Sequence, residues 1–170
     1  MSGGAPCRYR SPRTGSLVLE ASPTTLVGDT RLQRFVESVV LRLEDPIAAD
    51  FARAFVVDTS SDDMAPEVVD QFVEDLLKVP ARVWRETFEG LLQYDDLNQL
   101  ASIEIPALLL WGDNDRLVGR QMQEDLEAGM ADAELVVYPG ASHTPRWDDP
   151  SRFASDAASL VKRVAVEEPR

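Results

Sequence analysis

The chain has 170 residues, 44% of them hydrophobic and 28% charged, with a formal net charge of −13. That content supports one domain or a little more with a real core, while so acidic a surface disfavours nucleic acid and anionic lipid as partners. One cysteine, Cys7, excludes an internal disulfide, and with a single histidine it leaves little for a transition-metal site, so neither metal nor cofactor is expected.

The N-terminal stretch MSGGAPCRYRSPRTGS carries arginines but no apolar segment behind them, so it does not read as a secretory signal. No run approaches the ~18 apolar residues that span a bilayer, and a cytoplasmic protein is expected. Residues 1–15 show no periodicity and read as a disordered lead-in, with Cys7 an incidental thiol. SLVLEAS then has strand length and ends at a Ser-Pro turn.

From Asp29 the pattern turns helical. Asp29 can cap TRLQRFVESVVLRL, in which Leu32, Phe35, Val36, Val39, Val40 and Leu43 recur at a helical period. Pro46 breaks that run and suits the first turn of a next helix, PIAADFARAFV. Pro66 opens PEVVDQFVEDLLKV, and Pro80 precedes ARVWRETFEGLLQY. Residues 29–100 are therefore expected as a helical block.

Then the periodicity changes. IPALLLWGD is apolar on both faces, as in a strand of a parallel sheet covered on each side. GRQMQEDLEAGM reads as a helix, AELVVYPG as a strand, and DPSRFASDAASLVKRVAV as a closing helix capped by Asp149 or Ser151. Short loops joining strand, helix, strand and helix imply α/β architecture, a small mostly parallel sheet of about three strands.

Functional side chains in such sheets gather beyond the carboxyl ends of the strands. Asp113 and Asp115 follow one strand and His143, the sole histidine, follows another. If the strands are neighbours, a carboxylate can accept the Nδ1 proton of the imidazole and leave Nε2 free to take a proton. Gly140, Ala141 and Ser142 permit the tight turn this needs, and Pro145 and Trp147 could wall one side. The bland alternative makes the aspartates turn formers and His143 an ordinary loop residue. A calcium loop at GDND lacks the further acidic positions it would need, and no Gly-rich phosphate loop follows a predicted strand.

From about Leu17 onward the sequence resembles the second half of an α/β-hydrolase. IPALLLWGDNDRLV looks like the family's strand with its Gly-x-x-Asp acid turn, and AELVVYPGASHTPRWDDPSRFASDAASLV looks like its last strand, histidine loop and C-terminal helix. The resemblance implies Asp115 as the catalytic acid, with Asp113 the runner-up, and His143 as the base. It also implies a partial α/β-hydrolase fold, the core at 16–28 and 101–170 with 29–100 as a helical cap. The implied activity is Ser-His-Asp hydrolysis of an ester or related bond in a small apolar substrate. Phe35, Phe51, Phe55, Trp84, Phe88 and Tyr94 are candidate pocket linings.

The family's nucleophile elbow, Gly-x-Ser-x-Gly, should precede SLVLEAS. The 170 residues contain no such motif, and Ser2 in MSGGAP lacks the preceding glycine. The reading is thus a truncated hydrolase without its nucleophile. A related reading is a non-catalytic interaction module, self-associating through an edge strand left unpaired. Dehalogenases and epoxide hydrolases, whose nucleophile is a carboxylate, share this half.

Overall fold

The computed structural model describes residues 14–167. The expected lead-in, with Ser2 and Cys7, therefore lies outside the described residues but for its last two positions. The chain divides into two compact units, one reaching to Thr24 and resuming at Asp96, the other running from Thr25 to Asp95.

The first unit holds the sheet. Strands β1 (Leu17–Glu20), β2 (Ala107–Gly112) and β3 (Ala133–Tyr138) are parallel in the order β1-β2-β3, with Leu17 beside Ala107 and Ala107 beside Ala133. All six residues of β2 are buried, as a central strand covered on both faces requires. Leu109 packs with Leu100, Leu126 and Met130 on one face, while Leu108 and Leu110 pack with Tyr138 and Leu160 on the other. Burying a leucine of this kind contributes roughly 1.5–3 kcal/mol. Among the described residues β1 pairs with β2 alone.

In the other unit lie helices α1 (Thr30–Ser38), α2 (Ala49–Thr59), α3 (Pro66–Leu76) and α4 (Ala81–Leu91). Asp29 caps α1, its Oδ1 accepting from the amides of Arg31 and Leu32. Two expectations need correcting here. The helix beginning there is not continuous to Leu43: the chain leaves helical geometry at Val39 and tightens into a 3-10 turn over Val40–Arg42. Adjacent β-branched valines are poor helix formers, and the turn buries Val40 completely. Nor does Pro46 open the next helix. The Asp45–Pro46 peptide is cis, Ile47 drops into the core, and α2 starts only at Ala49.

Helix α4 has no side-chain cap from its own N-cap, Pro80. The first amide, Ala81 N–H, instead donates to Oδ1 of Asp45 at 2.7 Å, from 36 residues upstream. In the same unit Phe51, Phe55 and Phe88 pack around the buried Trp84, with ring centroids 5.0 Å apart for Phe55 and Trp84 and 5.1 Å for Phe51 and Trp84, and Phe35 meets Phe55 and Phe88. These five aromatics pack against one another as core. The Tyr94 carbonyl accepts from the amide of Leu26.

The sheet unit is completed by a 3-10 segment (Leu97–Ser102), α5 (Arg120–Gly129), the single turn α6 (Pro145–Asp148) and α7 (Pro150–Glu167). Asp149 Oδ1 accepts from the amide of Arg152 near the start of α7. Helix α7 is tied to β3 by Tyr138, whose hydroxyl donates to Asp156 Oδ2 at 2.7 Å, while the Arg152 guanidinium lies 4.0 Å over its ring. Burial first, and then the bond to the Asp156 carboxylate, push the phenol well above its ordinary range. Among the described residues no helix is long and apolar enough to cross a membrane.

Candidate active site

Beyond the carboxyl end of β2 the chain makes a tight turn through Asp113, Asn114 and Asp115, closed by the Asp115 amide on the Gly112 carbonyl at 3.1 Å. Asp115 then acts on its own loop. Its Oδ1 accepts from the amides of Leu117 at 2.7 Å and Val118 at 3.1 Å, an arrangement short acidic side chains favour after a strand. Trp111 secures the far side of the loop, its buried Nε1–H donating to the Val118 carbonyl at 2.9 Å.

With Oδ1 occupied, Oδ2 of Asp115 faces His143 Nδ1 at 2.9 Å. The Asp115 side chain is wholly withdrawn from solvent and that of His143 is 30% exposed. A carboxylate can only accept, so Nδ1 carries a proton, and in the neutral imidazole the lone pair is on Nε2. The imidazole is thereby oriented, and half open to whatever approaches it.

Two features bring the histidine loop this close. Gly112 is buried at the end of β2, and the loop crosses directly above it; a Cβ there would lie 2.2 Å from the Ala141 carbonyl oxygen and 2.3 Å from that of Ser142. Gly140 has φ +76°, a left-handed conformation that glycine adopts without a steric cost. The turns then interlock, the Asn114 amide donating to the Ala141 carbonyl at 3.0 Å and the Asp113 amide to the Tyr138 carbonyl at 3.2 Å.

Asp113, the alternative acid, does something else: its Oδ1 accepts the Gly140 amide at 2.6 Å, latching the two strand ends together. Local geometry separates the two aspartates, since the turn aims Asp113 at backbone and Asp115 at the ring. Pro145 is buried, whereas Trp147 is 46% exposed with the Arg146 guanidinium 5.9 Å over its ring.

Two contributors were not singled out from sequence. Asp148 Oδ2 accepts both the amide and the hydroxyl of Ser142, at 2.6 and 2.8 Å. Glu20, at the end of β1, accepts the Arg146 amide at 2.8 Å and also pairs with its guanidinium. The available signals were an acidic residue five positions beyond the histidine, and a lone charge ending the apolar run of β1.

A sequence profile described as "Alpha/beta hydrolase family" matches residues 2–157. Among curated relatives, a 2-hydroxy-6-oxo-6-phenylhexa-2,4-dienoate hydrolase of Burkholderia cepacia is 31% identical over 88 residues, 52% of this chain and 27% of that protein. Among solved structures, a hydrolase from Pseudomonas aeruginosa superposes with a TM-score of 0.75 at 25% identity, over 88% of this chain and 56% of the other. A bromoperoxidase from Bacillus anthracis, at 15% identity and TM-score 0.78, shares the fold over 88% of this chain and 59% of its own. The chain thus spans little more than a quarter of the first curated protein and under two thirds of the solved ones.

Proposed function

The chain belongs to the alpha/beta hydrolase family, and on that premise we propose that it carries the acid–base half of a hydrolytic site acting on an ester or related bond. His143 serves as the general base and Asp115 as the carboxylate that orients it. What supports this reading is the 2.9 Å contact between a fully withdrawn carboxylate and a half-open imidazole. Asp115 holds the Nδ1–H tautomer, so Nε2 takes the proton of an attacking hydroxyl and later returns it to the leaving alkoxide; Asp115 stabilises the imidazolium between those steps.

No Gly-x-Ser-x-Gly occurs in the 170 residues, so the attacking group and the oxyanion donors have no evident source among them. This chain alone is expected to leave p-nitrophenyl esters intact, and substantial turnover abolished by His143→Ala would contradict that. The acid–base role is tested by joining residues 14–167 behind the N-terminal part of the Pseudomonas aeruginosa hydrolase. Ester turnover that disappears with His143→Ala supports the role, and turnover indifferent to that change sinks it. The name of the Burkholderia cepacia relative adds a 2-hydroxy-6-oxodienoate as a second substrate class for the same assay. Residues 29–100 are proposed as the family's helical cap.

Among the described residues β1 pairs with β2 alone, which favours one other reading, an interaction module that keeps the family fold without the chemistry and self-associates through β1. Size-exclusion chromatography tests it: a monomer at all concentrations removes that reading.

A further inference from the structure

We infer that Asp148 is a positioning residue for His143, holding the backbone from which the imidazole reaches Asp115. The inference rests on the acid–base reading above, but its test requires no turnover.

The two partners of the 2.9 Å contact are secured unequally. Asp115 is fixed by two amides of its own loop. Among the described residues the His143 ring has that one side-chain hydrogen bond, and it is 30% exposed, so its position depends on where the main chain sets it. On one side stands Ser142, 4% exposed, whose amide and hydroxyl both donate to the same oxygen of Asp148. On the other stands Thr144, whose amide donates to Ser142 Oγ at 3.4 Å and whose carbonyl accepts from the Trp147 and Asp148 amides, at 2.9 and 3.3 Å. Asp148 thus closes a ring over residues 142–148, with α6 as one wall. Glu20 anchors that wall to β1 through the Arg146 amide at 2.8 Å. Charge-assisted bonds to a buried hydroxyl and amide are among the stronger single contributions to loop order. With the ring open, the His143 backbone gains freedom and the contact to Asp115 becomes intermittent.

His143 is the sole histidine, so every imidazole signal of the untagged chain reports on it. The experiment is NMR of protein carrying ¹⁵N-labelled histidine, read for the tautomer and for the exchange rate of the Nδ1 proton with water. In Asp148→Ala, which removes both Ser142 bonds, that exchange is expected to accelerate by at least about tenfold, the scale of even one charge-assisted hydrogen bond, with a mixture of tautomers appearing. Asp148→Asn should restore the original spectrum, because both Ser142 bonds end on one oxygen that an amide also supplies. Ser142→Ala, which removes the hydroxyl bond alone, should fall between, and it decides the matter if Asp148→Ala does not fold. An unchanged tautomer and exchange rate in folded Asp148→Ala, or in Ser142→Ala where the former fails to fold, overturns the inference and leaves the roles of Asp115 and His143 standing. Absence of the Nδ1–H tautomer in the unaltered chain would instead count against the acid–base reading itself.

Discussion

Gly112 and Ala141 approach so closely that a single added methyl at Gly112 would sit 2.2 Å from the Ala141 carbonyl oxygen. Because both obstacles are main-chain oxygens, and the interlocked turns leave neither free to withdraw, the histidine loop would have to lift away from β2. Gly112→Ala should therefore cost about 3 kcal/mol, the upper end for overpacking. Urea unfolding measures it, and a cost below about 1 kcal/mol would show that the loop can move.

Asp115→Asn should reverse the imidazole tautomer. Oδ1 of Asp115 accepts two amides, so the carbonyl of an asparagine takes that side and its NH₂ faces the ring. Nδ1 then has to accept, and the proton moves to Nε2. Nitrogen chemical shifts of the sole histidine read this directly; retention of the Nδ1–H form would mean the contact is not tautomer-determining.

Alkaline stability should depend on Tyr138. Its phenol titrates well above the ordinary range in the folded chain, through burial and the Asp156 carboxylate. A folded value raised above the unfolded one stabilises the protein by an amount that is full below the unfolded value, roughly pH 10, and lost as pH climbs toward the folded one. Tyr138→Phe should lose about 1 kcal/mol at neutral pH, for the hydrogen bond, and should flatten the decline between pH 10 and pH 11. Parallel urea titrations at those two values and at pH 7 test both parts.

Asp45→Ala should weaken the start of α4 without touching the sheet unit. The Asp45 carboxylate meets an amide that the helix cannot satisfy internally, and loss of such a cap costs roughly 0.5–2 kcal/mol. Hydrogen exchange at the Ala81 amide should quicken by about tenfold, while that of Leu109 stays as it was.

Much of the fold was legible because its signals are local. The apolar run at 107–112 admits no face for water, which suits a central parallel strand. Pro66 and Pro80 remove a donor and set φ, and α3 begins at the one and α4 just after the other. That a carboxylate after β2 and the histidine after β3 meet also followed from strand order, since parallel neighbours deliver their ends to one edge. Pro46 misled, because the same fixed φ serves equally in a turn with a cis peptide.

The chain's own pattern determined most of the strands and helices, the parallel sheet, and a histidine with two candidate aspartates at its edge. Only the tertiary structure decided which aspartate faces the ring, that Gly112 must be bare, that Phe35, Phe51, Phe55, Trp84 and Phe88 form a core, and that Asp45 and Asp148 hold distant or neighbouring backbone. The reason is physical. Periodicity and turn chemistry act between residues a few positions apart, where the covalent chain sets the geometry. An acceptor supplied to an amide 36 residues away, or a methyl's worth of space beneath a loop, exists only once separate elements have packed against each other.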